Sequence, residues 1–249
     1  MDIKLTLVFM LLGALSCQNN AKNDSGFEAI FDGKTLNNWE GDSIYWRVEN
    51  GNLVGEITPE TIVEHNTFII WKGGTPADFE LKVDYKITDD GNSGVNYRSE
   101  RLDTPPYALK GYQADIDGQN NYTGQNYEER KRTTLAYQGQ QVIVKPQDNT
   151  SSPESIANNI EHNAWKNTEV VSTLGNIDSL KTFIHDNDWN TCHIIARGNK
   201  LQHYINGVLM SEVIDEDTVN RASSGFIGMQ VHVGPPMKVE FRNILLKEL

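Results

Sequence analysis

Cysteine is scarce in this chain: Cys17 and Cys192 are the only two among 249 residues. Basic residues are also in the minority, with 22 Lys and Arg against 34 Asp and Glu and a formal charge of -12. That balance argues against a nucleic-acid partner, because counterion release needs clustered positive charge. The densest basic run, Arg130-Lys131-Arg132, directly follows Glu128 and Glu129. No glycine-rich nucleotide-binding loop is present, so no nicotinamide cofactor is expected. The six histidines, at positions 65, 162, 185, 193, 203 and 232, contain no pair at a zinc-ligand spacing. His203, with no second ligand beside it, reads as structural or solvent-facing. The apolar run from Leu5 to Leu15 is too short to span a bilayer.

That run follows Lys4 and precedes Ser16-Cys17 and the polar Gln18-Asn19-Asn20, which is the pattern of an export signal. Small residues before a cysteine resemble a bacterial lipobox, in which cleavage leaves Cys17 as the lipidated first residue. An ordinary secretory signal cut nearby is the alternative. With Cys17 consumed, Cys192 has no intrachain partner and is expected to be a buried small hydrophobe. The expected organisation is a signal over residues 1–17, a polar tether over 18–25 and one folded domain over 26–249. The protein is then an exported bacterial lipoprotein, periplasmic or at the outer membrane and cell surface, touching the membrane only through its anchor.

What the chain does have is a succession of short alternating runs with turn signals between them. Tyr45 to Val48 and Leu53 to Gly55 flank Asn50-Gly51, and Leu201 to Ile205 and Val208 to Met210 flank Asn206-Gly207, two hairpin signals. So many short strands imply an all-β, two-sheet sandwich or jelly roll. Two stretches break the pattern. Pro153 to Trp165 carries Ile156, Ile160 and Ala164 at helical spacing and reads as a short helical insertion, with Trp165 at its edge. Residues 118 to 132 read as a long irregular loop of the kind that walls a site on a sandwich.

Within the strands, one polar face stands out. In Gly111 to Gly118, period 2 places Gln113, Asp115 and Asp117 on one side and Tyr112, Ala114 and Ile116 on the other. Asn96 and Arg98 share a face in the same way, as do Gln230 and His232. A face of Asn, Arg, Gln, Asp and His, without Lys or Ser, suits a polyhydroxylated ligand.

Several segments, taken in order, resemble the 3-keto-disaccharide hydrolase family: Phe31 to Trp39, Gly91 to Arg98, Gly111 to Ile116, Asp188-Trp189-Asn190, the hairpin ending Asn206-Gly207-Val208, Gly228 to Gly234, and Phe241 to Ile244. The resemblance implies a concanavalin A-like jelly roll and cleavage of glycosides oxidised at carbon 3. Many relatives carry Glu where Gln113 stands and Gln where Asp115 stands, so the carboxylate here is displaced by two positions along the strand.

A 3-keto group acidifies the hydrogen on carbon 2, so a base, a proton donor and stabilisation of the enolate oxygen suffice for elimination, after which water adds. Asp115 or Asp117 is expected as the base, His232 as acid or base and Arg98 as the stabiliser. Glu128 is expected as a ligand contact or general acid, with Asn96, Gln113, Gln230 and Tyr127 or Tyr122 binding the sugar. Asp115 and Asp117, one strand repeat apart, also suggest a divalent cation of the Ca or Mg type. The expected partners are an oligosaccharide or glycoside substrate and, upstream, a separate sugar 3-dehydrogenase. Two other readings stay open: a non-catalytic, lectin-like module, and a two-carboxylate glycosidase acting on unoxidised glycans.

Overall fold

The computed structural model describes residues 26–146 and 167–249. The signal segment, Cys17, the tether and the helical insertion expected at 153–165 lie outside these residues. Its strands are β1 (Glu28–Ala29), β2 (Trp39–Glu40), β3 (Trp46–Glu49), β4 (Asn52–Ile57), β5 (Thr67–Trp71), β6 (Phe79–Ile87), β7 (Asn92–Leu102) and β8 (Ala108–Asp117). They continue with β9 (Asn126–Glu129), β10 (Thr133–Ala136), β11 (Gln140–Val144), β12 (Thr168–Thr173), β13 (Asn190–Arg197), β14 (Lys200–Ile205), β15 (Val208–Asp215), β16 (Phe226–Val231) and β17 (Met237–Glu248). One short helix, α1 (Ile177–Lys181), starts at Asn176, whose side chain accepts from the backbone N–H groups of Asp178 and Ser179. Among the described residues no helix is long and apolar enough to cross a membrane.

Ten strands form one sheet, in the order β12-β11-β15-β14-β13-β6-β17-β4-β3 with β1 paired to β17. Seven form the other, in the order β10-β9-β8-β7-β16-β5-β2. Pairing is antiparallel except between β11 and β15. Both Asn-Gly signals make hairpins, with left-handed φ at Asn50 and Gly51 and again at Asn206 and Gly207.

The core lies between the sheets. Strict alternation in β6 sends Phe79, Leu81, Val83 and Tyr85 inward. Across from them stand Val95, Tyr97, Tyr112, Ala114, Met229 and Val231 of the seven-stranded sheet. Cys192 is fully buried there, and burial pushes its thiol up to about 12, so it is an inert apolar filler. Trp39, Trp46 and Trp71 belong to this core, whereas Trp189 is half-buried beneath the Arg242 guanidinium, 3.7 Å from its ring centre.

The two sheets differ in a way that locates function. The outer side of β6 and β13 is half-buried and polar, as expected for a solvated face. By contrast, β7 and β8 are buried on both faces for most of their length. On the outer side of the seven-stranded sheet, Phe68, Ile70 and Leu109 form a separate small cluster with Phe226. Beyond that cluster the same face is polar and borders a cleft.

Candidate active site

The cleft has a volume of about 700 Å³. Its floor comes from β8 and β9, its walls from the residues around His65 before β5, from His232 and Val233 after β16, and from Arg130, Thr133 and Thr134. Segment 118–132, expected as a continuous loop, contains β9, which pairs antiparallel with β8 and sets Tyr127 opposite Gln113. Directly opposed residues share a face, so β9 contributes Tyr127 and Glu129 to the cleft and turns Asn126 and Glu128 inward.

Asp115 is the centre of the floor. Gln113 donates from Nε2 to its Oδ1 at 2.6 Å, and Gln125 donates from Nε2 to its Oδ2. Asp115 as a whole is 8% exposed. Burial pushes its pKa up to about 7 against those two amide donors, and the nearby charges of Glu129 and Asp117 add to the rise. Gln113 is itself held in place, since Gln230 Nε2 donates to its Oε1 at 3.0 Å across β7. The crossing is possible because Gly94 lies beneath it: a Cβ there would stand 2.5 Å from Gln113 Cδ.

Glu129 is a second carboxylate in the cleft. Asn66 donates to its Oε1 at 3.1 Å, Gln230 to its Oε2 at 3.5 Å, and Arg130 Nε lies 3.5 Å from Oε1. Burial raises its pKa, while those three partners favour the charged form. Asn66 Oδ1 in turn accepts from Val233 N at 2.9 Å, tying the β16 end to the loop before β5. His232 points its Nδ1 at the Val233 carbonyl, 2.6 Å away, and burial lowers its pKa. Arg130 and Thr133, both on the cleft wall, hold left-handed φ values of 56° and 64°, conformations that non-glycine residues keep only when their surroundings impose them. Gln125 Oε1 and Thr133 Oγ1 are buried polar atoms of cleft residues without a protein partner.

Of the residues singled out in the sequence, Gln113, Asp115, Tyr122, Tyr127 and His232 line this cleft. Gln230 lies fully buried beneath it and acts through Gln113 and Glu129. Asn96, opposite both Gln113 and Gly228, is buried with neither amide atom partnered and is not on the cleft wall.

Three expectations need correction. Glu128 faces the sandwich interior, fully buried, and binds Arg132 through Oε2 to Nε at 2.5 Å and Oε1 to Nη2 at 3.0 Å. Alternation along β9 is the reason. Arg98 sits on β7 where a bulge shifts the register and φ is 44°, which breaks its alternation with Asn96. Its guanidinium donates to Ala77 O at 2.8 Å, Gly198 O at 2.7 Å and Asp78 Oδ1 at 2.9 Å, fastening β7 to loops of the other sheet. Asp117 closes a turn, accepting from Asn121 N at 3.0 Å, Tyr122 N at 2.8 Å and the Thr123 hydroxyl at 3.1 Å. The oxygens expected to ligate a cation on Asp115 and Asp117 are thus engaged by donors of the chain. Among the described residues no three His, Cys, Asp or Glu side chains converge as a metal site.

His203 is structural: fully buried, it contacts the Tyr97 hydroxyl at 2.8 Å and the Gln125 carbonyl at 3.1 Å, and burial lowers its pKa to about 4. Sequence reasoning missed Gln125 and Asn66 as cleft residues; it placed Glu129 and Arg130, with Glu128, on a segment able to fold over the site, but gave the ligand or acid role to Glu128. For Glu129 a signal existed, because Tyr127 and Glu129 alternate once 126–129 is taken as a strand.

The described residues thus form a two-sheet sandwich with a carboxylate-and-amide cleft on the outer face of one sheet. The chain belongs to the family of 3-keto-alpha-glucoside-1,2-lyase-like domains, whose model matches residues 26–247. Among solved structures it is similar to a glycosyl hydrolase candidate from Parabacteroides distasonis ATCC 8503, with 17% identity over 90% of this chain and 99% of that one and a TM-score of 0.54. It is also similar to the carbohydrate binding module CBM66 from Bacillus subtilis, with 15% identity over 85% and 96% and a TM-score of 0.51. A Bacillus subtilis protein described as galectin-like in fold matches at 12% identity over 86% and 90%, with a TM-score of 0.52. At these identities the likeness is one of fold, and that fold is the concanavalin-like jelly roll. No curated protein matches.

Proposed function

We propose that this protein cleaves 3-keto-glycosides by base-assisted elimination followed by hydration. The observation that carries the reading is Asp115: a buried carboxylate with a pKa near 7, fixed by Gln113 and Gln125 on the floor of an open polar cleft. Asp115 takes the proton from carbon 2, and the electrons of that bond pass to the 3-keto oxygen as an enolate. The enolate collapses, restoring the ketone, forming the C1–C2 double bond and breaking the bond from C1 to the leaving oxygen. Glu129, with its raised pKa, supplies the proton that this oxygen takes up. Arg130 assumes the stabilising role expected of Arg98, being the guanidinium on the cleft wall. Water then adds across the double bond.

The Tyr122 and Tyr127 rings lining the cleft suit a pyranose face. The family description points to the same lyase chemistry. A second reading has one observation in its favour: Asp115 and Glu129 form a pair of carboxylates in one cleft, as a glycosidase acting on unoxidised sugars requires.

The test is release of a chromogenic aglycone from a glucoside and from its 3-keto counterpart, with and without chelator. Release from the keto substrate alone supports elimination, and release from the plain glucoside supports two-carboxylate hydrolysis. Sugar binding without release moves the protein to the lectin class, and sensitivity to chelator supports the divalent cation.

The same proposal includes an upstream sugar 3-dehydrogenase as the source of the ketone, and export with lipidation at Cys17. Loss of lipid labelling in Cys17→Ala checks the anchor, and labelling that persists overturns it.

A further inference from the structure

A pocket of about 350 Å³ lies beyond Tyr137, a residue that borders both this pocket and the cleft. Asn121, in the turn closed by Asp117, lines the pocket, while the next residue, Tyr122, lines the cleft. We propose that the pocket is a second carbohydrate subsite, taking a further sugar unit of the glycan whose oxidised unit occupies the cleft, so that oligosaccharides bind better than short glycosides. The proposal rests on the reading of the cleft as a sugar site and leaves bond cleavage at Asp115 and Glu129.

The pocket is built where the chain crosses from β10 of one sheet to β11 of the other. The turn between them is closed twice: Gln140 N donates to Tyr137 O at 3.1 Å, and Tyr137 N donates to Gln140 Oε1 at 3.0 Å. The second bond orients the Gln140 amide, because it commits Oε1 and leaves the Nε2 donors without a partner among the described residues. Thr173 of β12 stands directly opposite Gln140 of β11, so their side chains share a face, and the Thr173 hydroxyl has no partner among the described residues either. The walls are fixed. Gln138 Nε2 donates to Thr123 O at 3.0 Å, tying this turn to the one that carries Asn121, and Leu174 N donates to Gly139 O at 2.8 Å.

The lining suits a neutral sugar. Among the described residues, none that lines the pocket is charged, and the neighbouring Lys181 donates to Asn121 Oδ1 at 3.2 Å. Tyr137 and Ile177 are 50% and 49% exposed, offering an aromatic and an aliphatic surface to the C–H face of a pyranose. Gln140 Nε2 can donate to the sugar's hydroxyls, and the Thr173 hydroxyl can donate or accept. A wholly apolar ring would cover those polar groups without pairing them, which costs free energy for each. The volume lies near the lower bound of about 300 Å³ for small-molecule sites, enough for one sugar ring.

The experiment is a 1H–15N NMR titration of the protein with cello-, malto-, laminari- and isomalto-oligosaccharides of increasing length. For at least one linkage, lengthening by one unit is expected to tighten binding roughly tenfold or more, with the amide signals of Gly139 and Gly175 shifting together with those of the cleft. The titration is repeated in Gln140→Ala, which removes the donors, and in Thr173→Trp, which fills the pocket from an exposed strand. The ratio of long to short affinities is expected to fall toward one in both, and taking it within each variant cancels any loss of folded protein. Cleft signals that shift without any gain from length or any response at Gly139 and Gly175 overturn the subsite and leave the cleft reading standing. A gain that survives both substitutions overturns the subsite as well. Shifts confined to the pocket support it as a sugar site and overturn the reading of the cleft, and the absence of shifts at both overturns both.

Discussion

Glu128 and Glu129 are chain neighbours on opposite sides of one sheet: the first grips Arg132 inside the sandwich, with Oε2 to Nε at 2.5 Å, and the second borders the cleft. Their substitutions should therefore separate stability from activity. Glu128→Gln weakens a buried ion pair, although Asp215 and Asp217 still hold Arg132. A loss of about 2 kcal/mol is expected in urea unfolding, from removing charged hydrogen bonds in a buried site. Glu129→Gln is expected to leave the unfolding midpoint nearly unchanged and to lower kcat on the keto-glucoside.

Asp115→Asn removes the proposed base while preserving shape. Turnover of a 3-keto-glucoside is expected to fall by about 100- to 10,000-fold, the range that general-base catalysis contributes. Unimpaired turnover would remove Asp115 from the mechanism.

The same carboxyl links stability to pH. Its pKa is about 7 in the fold against an ordinary 3.8, so the folded chain binds the proton more tightly than the unfolded chain. That contribution favours the fold below about pH 4 and is lost as pH rises through 7. Asp115→Asn is therefore expected to be more stable than the unaltered chain at pH 8, with the difference shrinking toward pH 4. Activity runs the other way: kcat/KM should rise with pH through about 7 as the base ionises.

Gly94→Ala probes the amide support of Asp115 without touching a charged group. The new Cβ would stand 2.5 Å from Gln113 Cδ, and a flexible side chain yields more readily than backbone. Gln113 should move, leaving Asp115 one donor short. Because that donor favours the ionised form, the alkaline-rising limb of the pH–rate profile is expected to shift upward while the fold persists.

Asp117→Ala tests the turn that carries Tyr122. Removing an acceptor for two backbone N–H groups and one hydroxyl should cost about 2 kcal/mol in thermal or urea unfolding. KM should rise as Tyr122 loses its position, with kcat less affected.

The sequence by itself determined the sandwich. Period-2 alternation, two Asn-Gly hairpins and the absence of long helical patterns are local properties, and they are enough to assign strands and to send Tyr112, Ala114 and Met229 into a core. It also marked Gln113, Asp115 and His232, because their polar face interrupts otherwise apolar strands, and Tyr127 as an aromatic on a segment able to fold over the site. What only the tertiary structure decided depends on contacts remote in the chain. The bulge that turns Arg98 away exists in register with β8. The choice between Glu128 and Glu129 follows from β9 pairing with β8, a short strand hidden in a stretch with loop composition. Asn66 reaches Glu129 across 63 positions of sequence, and Gln230 reaches Gln113 across 117. Alternation fixes which side of a strand a residue occupies, but only the pairing of strands fixes which side chains meet.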